Sequence, residues 1–254
     1  MKFTYLIGTL TVTSALLLAG CSTNETTVKK EATTDQASKV EKEKNVELTK
    51  EEKIAELPSP YNEIGKHFAE WELPKEGRIP KTKEAYEKYE IDGYEPYDKV
   101  VFYTNGYGFD EKMGILSYAS YETDEDGQGE PPEPTPDQRE GMIMGTVDEW
   151  VGDGDYVIDG VPMYYEENGK KVPNKEFVEN LRLDVEDGKM SDLLKIRSYA
   201  EKDELKPLED WANETINYFV DATESEDIEE VWAKYSKGQD NVEQLDKTIK
   251  LARE

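Results

Sequence analysis

The only histidine of this chain, His67, has Glu63 four residues before it and Glu70 three residues after. On a helix these positions share a face, which would make them a two- or three-ligand metal face. Zinc sites usually draw on several His or Cys side chains, and the sequence holds one of each. Glutamates flanking a histidine on a helix also describe an ordinary solvated face. Nucleophilic catalysis finds no motif: G-x-S-x-G, S-x-x-K and H-E-x-x-H are missing from the sequence. Glycoside hydrolysis needs only two placed carboxylates. With 58 acidic residues a pair can be found anywhere, so no catalytic residue is assigned.

Two other groups of residues could bind. Residues 122–159 carry 13 acids against a single base, Arg139. Within them Asp124 and Asp126, and Asp153 and Asp155, are closely spaced carboxylates beside glycines, the donor type that Ca²⁺ prefers. Neither group completes an EF-hand loop, and the same stretch reads equally as a solvated, self-repelling loop. Eight of the 16 tyrosines lie between 86 and 121. Tyr94, Tyr97, Tyr103 and Tyr107 could form a platform that stacks on a sugar or an extended peptide. Tyrosine is also a good residue for a half-buried strand.

The single cysteine sits elsewhere. Lys2 is followed by an uncharged apolar run from Phe3 to Leu18, which ends in Leu18-Ala19-Gly20-Cys21. A basic start, an apolar stretch and small residues before a cut site are the layout of a secretory signal. The tetrapeptide resembles the lipobox of bacterial lipoproteins. The resemblance implies cleavage between Gly20 and Cys21, a diacylglycerol on the Cys21 thiol, and a place on the extracytoplasmic face of the cell membrane. An uncleaved membrane helix is the competing reading, but Gly8 and several threonines weaken an already short span.

Composition narrows the remaining classes. The net charge is −27, one unit more negative once Lys2 is removed. Such an excess opposes contact with phosphate backbones, so no nucleic acid is expected as a partner. With Cys21 acylated, no thiol remains for a disulfide or a thiolate metal site. No cofactor is expected beyond the lipid, with Ca²⁺ at the aspartates as the one alternative.

Those residues must be positioned by a body whose elements can be sketched. Residues 1–20 read as the signal, and 21–58 as a flexible tether, rich in Thr, Lys and Glu and without an aromatic residue past Cys21. Such a coil spans about 30–35 Å on average. Lys39–Leu57 could form a loose helix held by Glu/Lys neighbours, although no apolar stripe demands one. Residues 59–173 form an acidic, Tyr-rich segment with 11 basic and 27 acidic residues. Short helices are expected at Tyr61–Glu72 and Lys81–Tyr89, and strands at Lys99–Thr104, Ile115–Tyr121, Met142–Val147 and Asp155–Tyr165. Asn105-Gly106 and Asn168-Gly169 are hairpin signals because both residue types tolerate positive φ. Asp124–Arg139 reads as an exposed loop. Tyr89–Gly93 and Tyr156–Gly160 echo one another, as two turns ending in Asp-Gly would.

Residues 174–254 are expected to be mainly helical. Leu208, Trp211, Thr215 and Phe219 make one stripe after Pro207. Ile228, Val231, Trp232 and Tyr235 make a second, closed by Gly238, and Val242, Leu245, Ile249 and Ala252 a third. Thr223 with Glu226 and Asp240 with Glu243 are expected to cap helix starts. The alternation Leu181, Leu183, Val185 followed by Asp187-Gly188 suggests a strand and turn within Glu179–Ile196.

The expected architecture is α+β, a Tyr-rich segment with β-hairpins followed by a mainly helical C-terminal part, in one domain or two. The expected role is that of a membrane-anchored extracytoplasmic lipoprotein that binds an envelope protein or wall ligand without catalysis. A carboxylate-based wall hydrolase and a Ca²⁺-dependent module are the alternatives. The tether composition fits a Gram-positive source.

Overall fold

A computed structural model of the chain describes residues 48–91, 100–110, 116–119, 132–153 and 160–254, the side chains of 116–119 and of Asp153 apart. The signal, the lipobox, most of the tether, and Asp124, Asp126, Asp155, Tyr94 and Tyr97 lie outside these residues. So do most of the acidic loop and the Asp-Gly turn of the first echo.

The protein is α+β, with antiparallel hairpins in the Tyr-rich segment and helices through the C-terminal part. The description begins inside the expected tether. Lys50–Ala55 forms helix α1, closed at its start by a reciprocal cap between Thr49 and Glu52. Ile54 is fully buried, so these last tether residues belong to the body, a correction to the boundary at 58. One apolar residue in a charged stretch is too weak a stripe to read from sequence.

Helix α2, Tyr61–Glu70, buries Ile64 and Phe68, and α3, Lys83–Lys88, buries Tyr86. Strand β1, Val100–Phe102, pairs antiparallel with β2, Tyr107–Asp110, and β2 pairs with β3, Leu116–Ala119. The turn between β1 and β2 is where Asn105-Gly106 predicts it. Gly106 takes φ +88° and donates its N–H to the Tyr103 carbonyl at 2.9 Å.

Helix α4, Pro136–Asp153, replaces two expectations at once. Met142–Val147 is not a strand, and Pro136–Arg139 is not loop. The apolar run lies on a helix with core on several sides. Met142 meets Val101, Tyr107 and Phe109, whereas Ile143, Met144 and Val147 belong to the main core. The start is capped reciprocally: Gln138 N–H donates to Thr135 Oγ1, and Thr135 N–H donates to Gln138 Oε1 at 3.1 Å. Gly141 brings α4 against β2, since a Cβ there would stand 2.9 Å from the Phe109 ring.

Strands β4, Tyr164–Glu167, and β5, Lys170–Pro173, form the second expected hairpin, with Asn168 and Gly169 both at positive φ. Of the described part of the expected strand Asp155–Tyr165, only Tyr164 and Tyr165 belong to it. Helix α5, Lys175–Asp184, then passes through a π turn, Val185–Lys189, into α6, Met190–Lys202. This corrects the strand expected in Glu179–Ile196. Leu181 and Val185, four apart, are buried, while Leu183 is 51% exposed, so the apparent alternation was helical spacing with one outward leucine.

Helices α7, Lys206–Glu224, and α8, Ile228–Arg253, close the fold. All three C-terminal stripes are as expected, except that Trp232 is partly exposed. The second and third stripes share one helix, however. Gly238 does not end it, and Asp240 does not start another. A Cβ at 238 would lie 2.6 Å from Phe219, so this glycine lets α7 and α8 approach closely. The start of α8 is capped by Asp227, which accepts from the N–H groups of Glu229 and Glu230, rather than by Thr223. Fully buried Trp211 and Phe219 anchor this layer, each contributing about 2–3 kcal/mol of apolar burial. Among the described residues no helix is long and apolar enough to cross a membrane.

Candidate functional site

Helix α2 turns Ile64 and Phe68 into the core, which leaves His67 at the border and Glu63 on the rim. Opposite stands the link between α6 and α7. There the chain reverses through Asp203, Glu204 and Leu205, with Leu205 N–H donating to the Ala200 carbonyl at 2.8 Å. Glu204 occupies the left-handed position at φ +57°, where glycine is the usual residue. Between α2 and this link lies a cleft of about 180 Å³. Its floor is Ile64, Phe68 and Leu208, flanked by Leu205 and Pro207, and its polar groups are Glu63, Glu204 and His67.

Adjacent residues of α4 hold the two walls. His67 Nε2 lies 3.0 Å from Glu140 Oε2, which ties α2 to α4. At that distance the contact is an ion pair when His67 is protonated. Glu140 holds the His67 pKa above its ordinary value, with partial burial opposing and Glu70 and Asp203 adding to the negative field. Arg139, one residue earlier, grips Asp203 at the end of α6. Its Nε donates to both carboxylate oxygens, at 3.1 and 2.9 Å, and its Nη1 donates to the Pro134 carbonyl. Glu63 accepts only from Ser59 Oγ, and neither Glu63 nor Glu204 has an ion-pair partner among the described residues.

A second polar centre is buried on the far side of α4. Lys189, at the end of the π turn, lies 2.8 Å from Asp184 Oδ2, and Tyr235 donates to the same oxygen at 2.7 Å. The ammonium stands 5.3 Å from the Trp150 ring centre and 5.6 Å from that of Tyr235. Gln239 links the two aromatic residues, donating to Tyr235 Oη and accepting from Trp150 Nε1. A buried cation so fully partnered serves packing. A larger groove of about 550 Å³ beside β5 and α5 carries both signs of charge, from Lys175, Arg182, Glu179 and Glu226. Arg182 is spent there on the carbonyls of Thr223 and Ser225.

The residues singled out from sequence meet different fates. Tyr103 and Tyr107 are not a ligand surface. Both are buried, with Tyr103 Oη donating to the Pro74 carbonyl at 2.8 Å and Tyr107 Oη to that of Pro132 at 2.5 Å. Tyr86 is buried as well, edge-on to Phe102. Asp153 ends α4, and the other three aspartates of the expected cation set lie outside the described residues. His67 turns to Glu140 on another helix rather than to Glu63 and Glu70. Among the described residues no group of three or more His, Cys, Asp or Glu could hold a metal ion.

The sequence reading missed Glu140, the Arg139–Asp203 pair and the Lys189 centre. The helix that carries Arg139 and Glu140 was within reach, because Thr135-Pro136-Asp137-Gln138 is a helix start, but their partners Asp203 and His67 lie far off in the chain. Nothing local marks Lys189. No family model, curated protein or solved structure matches this chain.

Proposed function

We propose that the protein is a membrane-anchored extracytoplasmic lipoprotein whose body has a non-catalytic binding role at the cell envelope. The observation that carries the anchor is Leu18-Ala19-Gly20-Cys21 at the end of an uncharged apolar run. A thiol lipidated there is the only one in the chain, so the lipid takes up all its cysteine chemistry. Support for binding comes from the strong acid excess and from a cleft that combines an apolar floor with two carboxylates. Such a body attracts cationic partners over distances of about a Debye length, roughly 8 Å at physiological salt. The buried tyrosines leave the acidic surface as the better binding face.

The anchor is tested by labelling bacterial cells that express the full chain with an alkyne fatty acid. The wild-type chain should carry the label and fractionate with membranes. The C21A variant should lose the label. A C21A chain labelled as strongly as wild type would end the lipoprotein reading.

A further inference from the structure

We infer that the cleft between α2 and the α6–α7 link is a socket for one lysine or arginine side chain of a basic partner protein. This names the partner chemistry of the binding role proposed above and rests on that reading. A volume of about 180 Å³ is below the roughly 300–1,000 Å³ of sites for drug-sized ligands. It is close to the roughly 150 Å³ of a cavity that accepts a single benzene ring. One long side chain suits it.

The lining selects which side chain. Ile64, Phe68 and Leu208 close the bottom of the cleft as buried core, and the half-buried Leu205 and Pro207 give its wall apolar surface that an alkyl stem can lie along. Lysine and arginine bury their stems along such surfaces and keep the charged head at the rim. The rim offers Glu63 and Glu204, neither paired with a base among the described residues. Several surface lysines pair with other acids instead, Lys206 with Asp210 and Lys202 with Glu133. A neutral apolar side chain would leave both carboxylates unused, and an acidic one would meet like charge.

The mature chain, residues 21–254 carrying C21S, is titrated with a capped pentapeptide bearing one lysine between alanines. A second peptide has norleucine in place of the lysine. The methyl resonances of Ile64, Leu205 and Leu208 report occupancy. The lysine peptide should shift them saturably, and the norleucine peptide should bind several-fold more weakly. The double variant E63Q/E204G should weaken lysine binding about tenfold, from two lost ion pairs of about 0.7 kcal/mol each. Glycine suits the backbone at 204, so this variant keeps its fold, verified by unchanged circular dichroism. Equal binding of both peptides, or no effect of the double variant, overturns the proposal. The absence of a saturable shift overturns it too, including the case in which a lysine of residues 22–47 already fills the socket. The labelling of C21A is independent of all these outcomes and judges the anchor alone.

Discussion

Lys189 and Asp184 meet as an ion pair, 2.8 Å apart, although they stand five positions apart on one helical run. In a regular α-helix positions five apart point about 140° away from each other. The π turn over Val185–Lys189 holds one residue more per turn, and that brings both side chains to the same buried face beneath Trp150 and Tyr235. Removing one partner strands the other in a site of low dielectric. K189A should therefore lower unfolding stability by about 3 kcal/mol. The double variant D184N/K189M should lose clearly less. Urea midpoints of the variants check both statements, and equal losses would mean that the pair itself is not what the site depends on.

Gly238 and Phe219 set the distance between the two longest helices. With a Cβ at 238 only 2.6 Å from the ring, G238A should cost about 1–3 kcal/mol, despite the better helix propensity of alanine. Adding F219L should restore part of that loss. Thermal unfolding of the single and double variants shows whether crowding is the cause.

The cap of α4 is open to a milder test. T135A removes the acceptor for the Gln138 N–H and should destabilise by about 1 kcal/mol, with T135S close to wild type. Because Gln138 also exchanges side-chain hydrogen bonds with Asn105, the loss should spread to the β1–β2 turn. Faster amide exchange at Gly106 in T135A would report it.

Protonation of His67 gives a dependence on pH. Its folded pKa is raised, chiefly by Glu140 and against partial burial. The stabilising contribution is fully present below the unfolded value of about 6.5 and is lost as pH rises through the folded value. Denaturant midpoints should thus fall between acidic and alkaline buffer in wild type by more than in H67Q. Identical profiles for the two proteins would show that this pair does not contribute.

These sites differ in how far the sequence discloses them. Leu208, Trp211 and Phe219 repeat at helical intervals over many turns, so their stripe is visible without tertiary information. Asn105-Gly106 and Asn168-Gly169 are visible for another reason, since few residues accept the backbone angles that a tight turn needs. Met142–Val147 defeats the same logic because a helix with core on several sides loses its polar face, and a short apolar run then looks like a strand. Gly238 misleads through its two uses, helix end or close approach, and only Phe219 on another helix decides between them. The His67 cleft is harder still. Glu140 is 73 positions from His67 and Glu204 is 137 positions away, so no local pattern announces the pocket.

Lys50, in the first helix of the body, donates from Nζ to the carbonyl of Ala252, in the last turn of the last helix, at 3.2 Å. The two ends of the folded body therefore lie within one side chain of each other. A short Gly-Ser bridge could join them, and the chain could be reopened at the exposed Asn168-Gly169 turn without cutting a helix. Such a circular permutant would keep the α2 cleft intact while moving the free termini to the tip of the β4–β5 hairpin. The body could then be attached to a surface from a different side.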